Sequence, residues 1–374
     1  MSYRGHTTRI LAFVLSASLS AAGLLPAGAG AQESPAAQEQ SRPRRADQQP
    51  QETPKPSPSP KEGEEIQEDE VVRVETDLTN ILFTAVDKQK RFITTLRQED
   101  VSVTEDGRPQ EIFTFARQTD LPLSLAILID TSISEERTLP IEKAAAASFV
   151  DAVLRPDKDE MAVISFTGEA TLEQGLTGNA SRVRRALDRV EFVPPSGYVS
   201  GVGQVGTPPI SGQDQMLAGS TAIWDAVLVT ADEVLSEASD KTRRAIILLT
   251  DGHDTSSRKN IDAAIESATR ADSVVYAIGI GDEYYGGINK GTLRKISERT
   301  GGRAFFPDNE EELREAFAQI QLELRSQYLV AYSPTNKRRD GSFRRVQIEI
   351  TNPDLRRQNL KLTYRQGYFP KSAK

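Results

Sequence analysis

Leu123-Ser124-Leu125-Ala126-Ile127-Leu128-Ile129-Asp130-Thr131-Ser132-Ile133-Ser134 is an apolar run that ends in an aspartate and a cluster of hydroxyl side chains. The run Leu123–Ile129 is mostly apolar at both odd and even positions, the pattern of a strand buried on both faces of a parallel sheet. Ala245–Leu249 repeats it and closes on Leu249-Thr250-Asp251-Gly252. Between them, Thr221 opens the helical stretch Ala222–Leu235. If the two strands are parallel neighbours, Asp130, Ser132, Ser134, Thr221 and Asp251 meet at the carboxyl edge of the sheet. Open α/β folds bind their ligands there. Two carboxylates and three hydroxyls describe a site for a hard cation, Mg²⁺ before Mn²⁺ or Ca²⁺. Taken singly, Asp130 and Ser132 also read as ordinary caps of the following helix.

Outward from these runs the chain alternates strand and helix. Leu123–Asp130, Met161–Phe166, Arg244–Thr250, Ser273–Ile280 and Arg303–Phe306 read as strands. Ile141–Val153, Ala180–Val190, Thr221–Leu235, Ile261–Ala271, Leu293–Arg299 and Glu310–Arg325 read as helices. The alternation predicts an α/β domain over 119–325 with a doubly wound, mainly parallel sheet covered on both faces. Trp224 is expected inside a helix–sheet interface. The stretch 192–219 is rich in Gly, Pro and Ser and runs straight into Thr221. It reads either as a functional loop overhanging the cation site or as a tolerated surface insertion.

The flanks have a different rhythm. In 70–118, Val71–Val74 and Ile81–Val86 look like strands, Val101–Glu105 and Gln110–Phe115 alternate, and Asp106-Gly107 is a hairpin-turn signal. In 326–370, Tyr328–Tyr332, Phe343–Ile350 and Leu360–Gln366 alternate again. Each set alone is too small to cover its apolar face. The expectation is one antiparallel β-sandwich built from both, with the α/β domain inserted in it or flanked by it; two separate β units are the alternative. Residues 32–69 are Gln, Glu, Pro, Ser and Lys with almost nothing apolar, which reads as a disordered linker. Ahead of it, Arg4 and Arg9, the apolar stretch Ile10–Leu25 and Ala29-Gly30-Ala31 fit an export signal over 1–31. Its apolar core is short for a membrane span, so no stable span is expected in the mature chain. The expected location is secreted, periplasmic or at the cell envelope of a bacterium.

Composition removes several chemistries. The chain has no cysteine, which excludes disulfides, thiolate catalysis and cysteine zinc sites. It has two histidines, His6 and His253, the first in the export signal, so a catalytic triad would have to use His253. Removing residues 1–31, with two arginines and no acid, takes the formal charge from −8 to −10, and nucleic acid is an unfavourable partner. There is no phosphate-binding G-x-x-x-x-G-K-[ST] loop, and Gly279-Ile280-Gly281 lacks the further glycine of a dinucleotide turn. No G-x-S-x-G elbow surrounds Ser256 or Ser257.

At Asp130, Ser132, Ser134, Thr221 and Asp251 the chain resembles the von Willebrand factor A (VWA) domain. That family's metal-ion-dependent adhesion site (MIDAS) reads D-x-S-x-S, then a threonine, then an aspartate. Ala218–Ala226 resembles the family's G-G-T-x-x-x-x-A stretch, and Leu248–Gly252 its L-L-T-D-G stretch. Val103–Ile112, Tyr332-Ser333-Pro334, Asp340–Arg344 and Gly367-Tyr368 further resemble a VWA-related group abundant in acidobacterial genomes, mostly secreted proteins without a defined role. The resemblance implies that Asp130 and Asp251 reach the ion largely through water and that the hydroxyls ligate it directly. An outside carboxylate, an Asp or Glu of a protein partner, would then complete the shell. One departure stands out: Ile133 and Glu135 occupy positions where the family often has glycine and methionine. Glu135 reads as a solvated acid of the first helical turn; as an alternative it recruits a cation or competes with the partner's acid. Ser220, His253 and Asp254 are candidates for the second shell, with Glu135. The expected function is a non-enzymatic, exported, metal-dependent protein-binding module. A metal-assisted hydrolase using His253, Asp254 or Glu135, and a metal-free assembly scaffold, are the competing readings.

Overall fold

The computed structural model describes residues 78–370 apart from 193, 195–198, 201–202, 205–219, 240, 282–283 and 285. The expected export signal, the linker and the strand at 71–74 lie outside the described residues, as does most of the 192–219 stretch. The first described strand is β1 (Thr79–Val86), followed by β2 (Val101–Glu105), β3 (Arg108–Gln110) and β4 (Ile112–Gln118). Then come β5 (Leu123–Asp130), helix α1 (Leu139–Val153), β6 (Glu160–Phe166), β7 (Ala170–Thr177) and α2 (Ala180–Arg189). Two short strands, β8 (Val199–Ser200) and β9 (Gly203–Gln204), pair with each other. The chain continues through α3 (Ile223–Val229), β10 (Arg243–Thr250), α4 (Ile261–Arg270), β11 (Ser273–Gly279), α5 (Lys290–Thr300), β12 (Ala304–Phe305) and α6 (Glu310–Arg325). It ends with β13 (Gln327–Tyr332), β14 (Arg344–Ile350), α7 (Pro353–Arg357), β15 (Lys361–Tyr364) and β16 (Gly367–Tyr368).

The central sheet has the order β12-β11-β10-β5-β6-β7, parallel except for β7. Both faces are covered, as the unbroken apolar runs require. Leu125, Ile127 and Ile129 with Ile247 and Leu249 meet α1, α2 and α6 on one side. Ala126 and Leu128 with Ile246 and Leu248 meet α3, α4 and α5 on the other, where Trp224 is buried. Burying a Leu or Ile side chain of this kind stabilises by about 1.5–3 kcal/mol. From β5 the chain steps to β6 on one side, and β10 and β11 are laid down on the other. The sheet therefore reverses direction between β5 and β10, which is the topological switch point.

In the flanks, the strand expected over Gln110–Phe115 is divided at Glu111 between β3 and β4, which lie in different sheets; within the α/β domain two departures from the expected elements are visible. The antiparallel edge strand β7 is one; in its mostly exposed first half, Ala170–Glu173, the apolar residues Ala170 and Leu172 face water. The helix expected over Thr221–Leu235 is the other. It is α-helical only from Ile223 to Val229, then widens into a π-helical segment, Thr230–Val234. Thr221 lies just ahead of it, in loop conformation.

Strands from both ends of the chain share two antiparallel sheets, β15-β1-β13-β4 and β16-β14-β2-β3. Between them lie Ile81, Phe83, Val103, Tyr328, Val330, Tyr332, Val346 and Ile348. Asp106 and Gly107 turn β2 into β3 with φ of 48° and 77°, the mirror-image turn that suits twisted hairpins. Within this core Glu105 accepts hydrogen bonds from the hydroxyls of Tyr332 (2.9 Å) and Tyr368 (2.8 Å), and Arg344 lies 3.4 Å away. Among the described residues, no helix is long and apolar enough to cross a membrane.

Candidate metal centre at the switch point

The register pairs Ile129 with Leu249, so Asp130 and Thr250 leave the sheet side by side. The Thr250 hydroxyl donates to Asp130 Oδ2 at 2.6 Å, and the Ser132 N–H donates to Oδ1 at 2.9 Å. That second bond bends the chain back over the sheet edge. Thr131 anchors the bend by donating its N–H to the Phe166 carbonyl at the end of β6 (2.9 Å). The bend brings Ser132 Oγ and Ser134 Oγ to 3.1 Å of each other, both buried.

Asp251 follows β10. Its carbonyl accepts from the Asn289 N–H (2.8 Å) and its Oδ1 from the His253 N–H (2.8 Å). Gly281 crosses beside it; a Cβ there would stand 2.8 Å from Asp251 Cβ, so a side chain at 281 would push the carboxylate out of place. Thr221, also buried, is held to the same loop. Its carbonyl accepts from the Thr255 N–H (2.8 Å) and the Ser256 N–H (3.0 Å), and its own N–H donates to Thr255 Oγ1 (2.8 Å). The next residue, Ala222, donates to the Thr167 carbonyl (2.7 Å), which ties the segment to the β6–β7 turn. Three loops thus converge on one edge of the sheet.

The remaining candidates fall as follows. Asp254 Oδ1 accepts from the Ile223 N–H (2.9 Å) and the Ser257 hydroxyl (2.5 Å), so it caps α3 and thereby positions Thr221. Ser220 is half-buried beside Thr221. His253 takes part through its backbone; its Nε2 makes no hydrogen bond among the described residues. Glu135 is where the structure overturns the reading of a solvated helix acid. Its side chain is fully buried, and one carboxylate oxygen each from Asp130, Glu135 and Asp251 lie within 4.8 Å of one another. The capping reading of Asp130 and Ser132 fails too: Ser132 stands at the N-terminus of the Ile133–Glu135 turn without a side-chain cap bond, and the residue at the N-terminus of α1 is Thr138.

One acid is absent from the sequence-based candidates altogether. Glu142, in the first turn of α1, is fully buried beside Thr138 and the Glu135 carboxyl. It stands seven positions after Glu135, with Thr138 between them; the Thr138 hydroxyl donates to Glu135 Oε2 (2.6 Å). The signal was available: α1 buries Leu139, Glu142, Ala146, Phe149, Val150 and Val153, and Glu142 is the charged member of that stripe.

Burial dominates the electrostatics. It pushes Asp130 up to about 6, against the hydrogen bonds from Thr250 and Ser132, with the Asp251 charge adding to the rise. It lifts Glu142 to about 7 and raises Glu135 well above the ordinary glutamate range, Glu142 and Asp130 contributing next for Glu135. Among the described residues, no lysine or arginine figures among the groups acting most strongly on these three acids. Buried carboxylates require hydrogen-bond donors, protons or a cation. The all-oxygen donor set and the orphaned Glu135 Oε1 fit a hard divalent cation. Adjacent ligands of an octahedral Mg²⁺, with bonds of about 2.1 Å, stand roughly 3 Å apart. The two serine hydroxyls are at that spacing.

Two family models, each of the von Willebrand factor type A domain, match residues 125–253 and 210–319. The chain carries a von Willebrand factor type A domain. The matched span runs from β5 to α6 and takes in the whole of the converging edge. Solved structures similar to the VWA chain include proximal thread matrix protein 1 of the mussel byssus, at 21% identity and a TM-score of 0.44, over 59% of this chain and 51% of that one. The match therefore spans about half the length of the mussel protein, which has also been solved with a zinc-occupied MIDAS motif. BatB of Bacteroides thetaiotaomicron matches at 18% identity and a TM-score of 0.42, over 55% of this chain and 100% of its own. A von Willebrand factor type A protein of Catenulispora acidiphila matches at 15% identity and 0.44, over 74% and 70%. No curated protein matches the chain.

Proposed function

We infer that this is an exported binding module that uses a divalent cation at Asp130, Ser132, Ser134, Thr221 and Asp251 to engage an acidic residue of a protein partner. The observation that carries the reading is the convergence of Asp130, Asp251 and the Ser132–Ser134 hydroxyl pair, 3.1 Å apart, at the switch point of a VWA sheet. Such a set supplies a hard cation with neutral hydroxyl ligands and nearby carboxylates, and Mg²⁺ is the first choice on donor chemistry, with Mn²⁺ or Ca²⁺ as substitutes. The cation would contribute a positive charge at an otherwise acidic edge, and that charge would attract the partner's Asp or Glu. By reciprocity, metal and partner would each tighten binding of the other. The 192–219 segment enters Thr221 directly and is the natural place for partner selectivity. Export follows from the residues of 1–31.

The reading is of a binding protein and not an enzyme. Of the side chains a hydrolase would recruit as a base, Asp254 is committed to capping α3. The test is retention of envelope proteins on the immobilised protein in Mg²⁺, in EDTA, and on Asp130→Ala. Retention that needs both Mg²⁺ and Asp130, and that fails when the partner's acidic residue is replaced, supports the reading. Retention indifferent to Mg²⁺ and to Asp130 would overturn it.

A further inference from the structure

We propose that Glu135 is itself a carboxylate ligand of the cation, filling in the free protein the coordination position that a partner's acid takes on binding. The inference rests on the metal-site reading above and deepens it: the site would be closed by its own chain, and a partner would have to displace Glu135.

Four observations support it. One oxygen each from Asp130, Glu135 and Asp251 lie within 4.8 Å of one another, a separation that a single hard cation with bonds of about 2.0–2.6 Å can span. The oxygens of Asp130 already have protein donors, in Thr250 and Ser132, and Asp251 Oδ1 has the His253 N–H. Glu135 differs: Thr138 holds Oε2, while Oε1 is buried with no donor at all. An orphan carboxylate oxygen in a fully buried side chain is costly unless positive charge meets it. Finally, the buried neighbour on the α1 side that acts most strongly on Glu135 is Glu142, itself an acid, which supplies no positive charge. Glu142 is not one of the three converging acids; once ionised it adds negative charge beside Glu135.

The backbone keeps Glu135 in place. Its N–H donates to the Ser132 carbonyl (3.0 Å) and its carbonyl accepts from the Thr138 N–H (3.1 Å), so the turn that presents Ser132 and Ser134 also presents Glu135.

The test compares the full chain with Glu135→Gln, Glu142→Gln and Asp130→Ala. Mn²⁺ affinity is read by calorimetry, and the number of waters on bound Eu³⁺, a hard oxygen-seeking stand-in, by luminescence lifetimes in H₂O and D₂O. Glu135→Gln is expected to weaken Mn²⁺ by about ten- to a hundredfold and to add about one water to bound Eu³⁺. At pH 8, where Glu142 is ionised, Glu142→Gln removes the same charge from outside the ligand set; it should weaken Mn²⁺ less and leave the hydration number unchanged. Unchanged hydration in Glu135→Gln, or equal weakening by both glutamine variants, would overturn the proposal. If Asp130→Ala leaves Mn²⁺ affinity intact, the metal-site reading itself fails, and that result is distinct from a failure confined to Glu135.

Discussion

Glu142→Gln offers a direct view of the buried acids without any ligand. Glu142 is fully buried, and its folded-state value of about 7 lies above the ordinary 4.5 because burial disfavours the charged carboxylate. The folded protein therefore holds this proton where the unfolded chain has released it. Stability is highest below the unfolded value and falls as pH rises from about 4.5 through about 7, then levels. At 1.36 kcal/mol for each pKa unit, the wild type forfeits about 3 kcal/mol at this one position by pH 8. The amide of the Glu142→Gln variant is neutral throughout and escapes that loss. In EDTA, Glu142→Gln should thus match the wild type near pH 5 and exceed it by about 3 kcal/mol at pH 8, a rise in Tm of roughly 5–10 °C for a domain of this size. Urea unfolding at pH 5, 6, 7 and 8 reads the difference directly. Asp130 and Glu135, also raised, should leave some decline in the variant. A wild-type–variant difference that stays constant from pH 5 to pH 8, or a wild type that gains stability over that range, would refute the account of the buried acids.

Other outcomes follow from the same physics. Asp254→Ala removes the acceptor for the Ile223 N–H and should cost about 0.5–2 kcal/mol, the range for a lost helix cap; because Asp254 also positions Thr221, Mn²⁺ affinity measured by calorimetry should fall with it. Glu105→Ala removes the counter-charge of Arg344 in the sandwich core and the acceptor of two tyrosine hydroxyls, while the Asn336 and Arg338 carbonyls still accept from Arg344; urea unfolding should show a loss of about 3 kcal/mol, the low end for a broken buried pair. Gly281→Val forces a side chain against Asp251 and should abolish metal-induced stabilisation, while circular dichroism shows the strands and helices retained.

The parts of the fold that were legible in sequence are those with one dominant signal. β5 and β10 are apolar at nearly every position, and such segments belong at the centre of a parallel sheet, next to each other at the switch point. Asp106-Gly107 dictated its hairpin through two consecutive positive φ values. β7 was hidden because its alternation, Ala170-Thr171-Leu172-Glu173, is only four residues long and its apolar members face water at the sheet edge. The end of α3 was hidden for another reason: Thr230–Val234 keeps helical composition while its hydrogen bonds widen, a difference that composition does not encode. At the site, residue types and spacing pointed to Asp130, Ser132, Ser134, Thr221 and Asp251, because an all-oxygen set on three loops has few other uses. Burial did not follow from spacing. Glu135 looked like a first-turn helix acid, and its enclosure beside Thr138, which holds its Oε2 just ahead of α1, is a tertiary property that spacing does not encode. Asp254 looked like a candidate for the metal's surroundings, and only its distance to the Ile223 N–H reveals a cap.

The central claim is that a divalent cation belongs at the edge where β5 and β10 diverge. Thermal unfolding of the protein in Mg²⁺, Mn²⁺, Ca²⁺ and EDTA, alongside Asp130→Ala and Asp251→Ala, tests it most directly. At a cation concentration about 100 times the dissociation constant, the wild type should gain roughly 2.7 kcal/mol, seen as a rise of about 5–10 °C, and neither variant should respond. Equal unfolding of the wild type in all four conditions at pH 8, where the acids are charged and most in need of a counter-ion, would contradict it.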